Sequence, residues 1–241
     1  MRFPENTIEA FDAAVAAGID LLELDVHGTS DGRIVVIHDD TLDRTTDGSG
    51  PVRSCSAAEL QALDAGYRFE GPSGDFPYRG RGLRIPLFDE VLERFPDTPL
   101  NVEIKQLDPP IERQVIEALD RYGARERVLL AAGDHRILER IRGAAPDVLS
   151  GMSAVEVADF LVRSATGDLS DYRPAGFALQ VPVQHGAVEV VTDSFVAAAH
   201  EVGLEVHVWT INDADEMKRL LALGVDGLMS DDPELLLSTV R

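Results

Sequence analysis

The stretch Leu21-Leu22-Glu23-Leu24-Asp25-Val26-His27, followed by Ser30-Asp31-Gly32-Arg33-Ile34-Val35-Val36-Ile37-His38-Asp39, decides how the chain folds. Strand side chains alternate between faces, so Glu23, Asp25 and His27 share one face while Leu22, Leu24 and Val26 share the other. The apolar face packs under helices. The other face carries two acids, the pattern of a metal cup or an acid/base pair. Asp31-Gly32 turns the chain, and the apolar run from Ile34 to Ile37 brings His38-Asp39 back towards the same end.

The segment Leu100-Asn101-Val102-Glu103-Ile104-Lys105-Gln106 repeats the alternation, with Asn101, Glu103 and Lys105 on one face. A third carboxylate and a lysine thus join the set. Three carboxylates without a thiol suit one hard divalent cation, Mg2+ or Ca2+, better than zinc or copper. The lysine is suited to an anion.

Working outward, the pattern of helix, glycine and apolar strand recurs at Gly18, Gly123, Gly203 and Gly224. Each glycine is expected to end a helix in the left-handed conformation. Strands are expected at 21–27, 100–105, 128–132, 148–153, 176–181, 205–211 and 226–230, with 34–38 as a hairpin return and helices between nearly all of them. Alternating β and α elements imply a parallel sheet, either doubly wound or closed as a barrel. Polar residues on widely separated strands, from Glu23 and Asp25 to His207 and Trp209, are expected to face one centre. The fold class expected is therefore α/β, a (β/α)8 TIM barrel, as a single domain over residues 1–241. Residues 41–99 exceed an ordinary connection and read as an insertion between the second and third barrel strands.

Within that insertion, Ser56 with Glu59 forms a capping box for a short helix, and Pro86 opens another. Residues 66–84 interleave five glycines with Tyr67, Phe69, Phe76, Tyr78 and the arginines 68, 79, 81 and 84. Two readings stand, a surface loop packed by its own aromatics or a lid. At the N-terminus, Asn6 with Glu9 reads as a helix cap.

A net charge of −21 excludes an electrostatic binder of nucleic acid or of anionic membrane surface. No apolar run reaches the ~18 residues of a membrane span, and the N-terminal residues contain no signal peptide, so the expected compartment is the cytoplasm. Cys55, the single cysteine, has no visible partner for chemistry. His27, His135, His185 and His200 read as ordinary surface or helix positions. His207 either lines the barrel mouth or fills its interior, and Asp231-Asp232-Pro233 reads as the cap of the last helix.

Pro4-Glu5-Asn6-Thr7, Glu23-Leu24-Asp25-Val26, Thr29-Ser30-Asp31-Gly32, His38-Asp39-Asp40-Thr41-Leu42-Asp43-Arg44-Thr45-Thr46, Ile85-Pro86-Leu87, Glu103-Ile104-Lys105, Val208-Trp209-Thr210-Ile211-Asn212 and Asp226-Gly227 run in one order along nearly the whole chain. In these pieces the sequence resembles the glycerophosphodiester phosphodiesterase family. The resemblance implies a TIM barrel that hydrolyses glycerophosphodiesters to an alcohol and glycerol 3-phosphate with one divalent metal. It implies Glu23, Asp25 and Glu103 as metal ligands, His38 as an acid/base residue and Lys105 as a phosphate contact. Glu5 and Trp209 would border the substrate.

The family's pattern also holds a His-Arg-Gly tripeptide at the end of the first barrel strand, ahead of Pro4. The 241 residues lack that strand, so by themselves they are expected to be oligomeric or poorly soluble and weakly active. Within the resemblance a lysophospholipase D acting on lysophospholipids is the alternative. A metal-binding homologue without activity is the third reading.

Overall fold

The first helix is capped one residue later than expected. In the computed structural model, which describes residues 2–241, Thr7 caps α1 (Ile8–Ala17) by accepting the Ala10 N–H, and its own hydroxyl donates to Pro4 O at 2.7 Å. Asn6 lies outside the helix at φ 54°, a left-handed value that asparagine tolerates better than most residues. Gly18 ends α1 at φ 94°, and the glycine after each of the three other expected helices also has positive φ.

By chain contacts the molecule divides into two units, residues 1–130 with 140–148 and residues 131–139 with 149–241. The first is built on β1 (Leu22–Gly28) and β2 (Ile34–Val36), which pair antiparallel through Val26 and Val36. The insertion contains α2 (Ala57–Gln61) and α3 (Phe88–Arg94). Ser56 caps α2 with the expected box, whereas α3 starts at Phe88 and Glu90 accepts the Leu87 N–H at 2.8 Å, so Pro86 precedes the helix instead of opening it. Strand β3 (Leu100–Ile104) runs parallel to β1, with Leu24 opposite Val102. After it come α4 (Glu112–Arg121) and β4 (Val128–Ala131), which adjoins β3 on the side away from β1.

The insertion has a core of its own. Val35 and Ile37 pack with Leu42, Val52, Leu60, Leu83 and Ile85. Each apolar side chain so buried contributes roughly 1.5–3 kcal/mol, which anchors the long segment to the hairpin that carries His38. Loop 66–84 packs on itself. Arg79 stacks 4.2 Å from the Tyr67 centroid and 3.7 Å from that of Phe76, and Phe69 meets Tyr78 edge-on at 5.2 Å. Of the two readings the geometry matches the self-packed surface loop.

Helix α5 (His135–Ala144) follows β4. The second unit then runs through β5 (Leu149–Ser150), α6 (Ala154–Thr166), β6 (Ala178–Pro182), β7 (Gln184–His185), β8 (Val188–Glu189), α7 (Asp193–Glu201), β9 (Glu205–Trp209), α8 (Ala214–Ala222), β10 (Gly227–Leu228) and α9 (Pro233–Val240). Strands β10, β9 and β6 form a parallel sheet in that order. Leu179, Val181, Val206 and Val208 are buried with Phe160 and Phe195, whose rings meet at 5.4 Å and 77°. The short β7–β8 hairpin is absent from the expected strands, because its four residues are exposed and carry no apolar alternation. Asp232 caps α9 by accepting the Leu235 N–H, with Pro233 in the first turn, as expected.

Candidate active site

Register fixes the acidic face. Across β1 and β3, Glu23 lies opposite Asn101 and Asp25 opposite Glu103, so the carboxylates of two neighbouring parallel strands share one side of the sheet. One oxygen each from Glu23, Asp25 and Glu103 lie within 4.8 Å of one another. Lys105, one residue beyond β3, sets its Nζ 3.1 Å from Asp25 Oδ1 and 2.8 Å from Glu103 Oε2. Burial lowers the lysine's pKa, but the attraction of Asp25 and Glu103 outweighs it and leaves the group above its ordinary value. Three carboxylates against one ammonium leave two negative charges, the complement of one divalent ion.

Asp25 is the buried member, 4 % exposed, and its second oxygen is held by Asn6, the residue expected to cap the first helix. The Asn6 amide donates to Asp25 Oδ2 at 2.9 Å, while Asn6 Oδ1 accepts the Asp25 N–H at 3.2 Å. Both bonds come from the left-handed residue between Glu5 and α1. Supporting partners of this kind typically contribute ~10–100-fold to metal affinity. Asn6→Gly keeps the positive φ and deletes only the amide. It is expected to weaken Mg2+ or Ca2+ binding by that factor, as read by calorimetry, and unchanged affinity would show that Asp25 needs no support.

His38 lies just past β2, on the return of the hairpin. Its side chain is half exposed, and Nδ1 is 2.7 Å from Asp39 Oδ1. Arg44 joins this pair to Glu5: Nε and Nη2 donate to Asp39 at 2.7 and 2.9 Å, and Nη1 and Nη2 to Glu5 at 2.8 and 2.6 Å. Those bonds hold the Asp39 carboxyl at about 2 despite partial burial, with His38 adding to the effect. Arg44 is pushed above its usual range by the same carboxylates, Glu5 first.

Residues 1–235 match the Glycerophosphoryl diester phosphodiesterase family. The chain belongs to that family. It is 35% identical over 247 residues to a glycerophosphodiester phosphodiesterase of Caldanaerobacter subterraneus, covering 99% of this chain and 93% of the relative. A human lysophospholipase D is 28% identical over 263 residues, 95% of this chain and 79% of that one. Among solved structures, an Oleispira antarctica phosphodiesterase in complex with the product sn-glycerol 3-phosphate superposes with a TM-score of 0.81 at 26% identity, covering 98% of this chain and 91% of that one. These likenesses carry the fold class read from the sequence, α/β of the (β/α)8 barrel type, and the enzyme class, a phosphoric diester hydrolase.

For this phosphodiesterase the first unit brings together six of the seven expected site residues along two connected networks: Glu23, Asp25, Glu103 and Lys105 in one, His38 and Glu5 in the other. Trp209 ends β9 in the second unit, 43% exposed. His207, two residues before it, bonds Glu205 at 2.9 Å and packs on Gly227, where an added Cβ would sit 2.9 Å from the ring.

His27 corrects the expectation of a surface position. It is 4% exposed on β1, with Nε2 3.1 Å from the His38 carbonyl oxygen, and burial lowers its pKa. Asn6, expected only as a helix cap, and Asp39 and Arg44, present in the sequence only as part of a longer motif, join these networks in the structure. The one available signal was composition: an asparagine directly before a helix cap, and an acid and an arginine flanking the histidine.

Proposed function

We propose that this phosphodiesterase hydrolyses glycerophosphodiesters to an alcohol and glycerol 3-phosphate with one divalent metal held by Glu23, Asp25 and Glu103. The observation that carries the reading is the convergence of three carboxylates within 4.8 Å around a paired lysine. All three donors are hard oxygens, which fits Mg2+ or Ca2+. When bound, such an ion supplies Lewis-acid polarisation of a phosphoryl oxygen.

The chain's own residues supply the remaining chemistry. The Lys105 ammonium has three donors, two of which face Asp25 and Glu103, so the third is available to a phosphoryl oxygen. Hydrolysis breaks the bond from phosphorus to the alcohol oxygen, takes one proton from water and delivers one to the leaving oxygen. His38 provides one of those two transfers, since its imidazole is half exposed and is paired through Nδ1 with Asp39. Glu5 is assigned to the substrate by the family pattern. Among the described residues no helix is long and apolar enough to cross a membrane, and the proposed substrates are small molecules.

A second reading, lysophospholipase D, is favoured by the likeness to the human enzyme. The aromatics of loop 66–84 engage one another and Arg79, so they lend no separate support. The test incubates the protein with glycerophosphocholine or lysophosphatidylcholine and measures glycerol 3-phosphate, lysophosphatidic acid and choline, with and without a chelator. Glycerol 3-phosphate released from the short diester only when Mg2+ or Ca2+ is present is the expected result. Preference for the acylated substrate would favour the second reading, and chelator-resistant turnover would remove the metal.

A further inference from the structure

We propose that Arg44 is the positioning residue of the acid/base histidine, acting through Asp39. The inference rests on the assignment of His38 above and adds to it which nitrogen carries the chemistry and what holds it there.

The guanidinium makes two forked pairs, one to each carboxylate, so all four oxygens of Asp39 and Glu5 are engaged. A planar fork fixes both the distance and the orientation of a carboxylate, which an ammonium point charge does not. Asp39 therefore presents Oδ1 to His38 at a set angle, and as an ionised carboxylate it can only accept. In the neutral imidazole the proton must then sit on Nδ1, bonded to Asp39 at 2.7 Å, and the lone pair on Nε2. Nε2 is thereby the atom that makes the one proton transfer assigned to His38. Without the fork, Asp39 is no longer held at that angle, and among the described residues the half-exposed ring has no second side-chain partner to select its tautomer, its contact with His27 being through the backbone carbonyl. A neighbouring carboxylate performs this orienting role in other proton-transfer sites, where its amide substitute selects the wrong tautomer.

The same fork joins two separate loops. Glu5 precedes α1 in the N-terminal segment, whereas Asp39 and Arg44 follow β2, thirty-nine residues from Glu5 to Arg44. Solvent-exposed pairs taken singly contribute little, but a bidentate network shared by three residues is the geometry in which such pairs do constrain a site.

The test uses the whole chain labelled with 15N at histidine, comparing the parent with Arg44→Ala, Arg44→Lys, Asp39→Asn and Arg44→Ala in guanidinium chloride at non-denaturing concentration. Long-range 1H–15N correlation reads the His38 tautomer directly, with His38→Ala supplying the assignment. The parent is expected to hold a single tautomer protonated at Nδ1. Arg44→Ala and Asp39→Asn should show a mixture or the Nε2-protonated form, and free guanidinium should restore the parental state in the first but not the second. In turnover, Arg44→Ala is expected to lose about tenfold or more in kcat with little change in KM, short of the ~10²–10⁴-fold attached to the imidazole itself. Metal affinity should be unchanged. A parental tautomer in both Arg44 variants would overturn the proposal, whatever their turnover. If Arg44→Ala fails to fold, Arg44→Lys and Asp39→Asn carry the same readout. Near-parental turnover of His38→Ala, with the tautomer shifts still observed, would instead remove His38 from the mechanism and leave the positioning network standing.

Discussion

Replacing Glu103 with glutamine is expected to abolish the stabilisation that Mg2+ or Ca2+ gives the parent protein. Glu103 contributes one of the three clustered oxygens and one of the two carboxylates that hold Lys105 at 2.8–3.1 Å. The amide keeps the shape but removes the charge, so the cluster is left with one negative charge over where the parent has two. Removing a partner that merely supports a ligand weakens binding by ~10–100-fold, and loss of the ligand itself should cost at least the upper end of that range. At a metal concentration one hundred times the parent's Kd, ligand binding adds about 2.7 kcal/mol to stability. For a chain of this length that corresponds to roughly 5–10 °C in Tm. The shift should disappear in Glu103→Gln and persist in Glu117→Gln, a control at an exposed helix surface. A variant whose melting temperature still follows metal as the parent's does would place the cation elsewhere.

The parts of this site legible in sequence are those governed by strand periodicity. Glu23 and Asp25, then Glu103, alternate with apolar neighbours that must be buried, so their common face follows from the two-residue repeat and parallel pairing. The hairpin was legible for the same reason, since Asp31-Gly32 separates two apolar runs. Asn6 was not, because an asparagine before a helix serves equally as a cap, and only the left-handed backbone turns its amide to Asp25. Thr7 took the cap instead. Arg44 was hidden for another reason. Its partners lie five and thirty-nine residues away, and no local pattern specifies a contact made between loops. His27 shows the converse: expected at the surface, it is 4 % exposed, in keeping with its place on the face of Asp25 in the strand alternation.

His38→Ala is expected to lower turnover by ~10²–10⁴-fold while leaving metal binding and folding close to parental. The two effects separate because the imidazole has no hydrogen bond to Glu23, Asp25 or Glu103; its side-chain partner is Asp39. Its backbone carbonyl, which meets His27 Nε2 at 3.1 Å, is unaffected by truncation of the side chain. A half-exposed ring also buries little apolar surface, so its loss should change stability by less than the ~1 kcal/mol average for point mutants. The Arg44 fork to Asp39 and Glu5 would persist without the histidine, keeping both loops in place. The measurement is therefore paired: initial rates of glycerol 3-phosphate release at saturating glycerophosphodiester, beside calorimetric titration with Mg2+ or Ca2+. A large loss of rate at unchanged metal affinity assigns His38 to proton transfer. Loss of both together would make it a structural support of the cluster, and loss of neither would move the proton transfer to another group, with Glu5 and His207 the first to substitute.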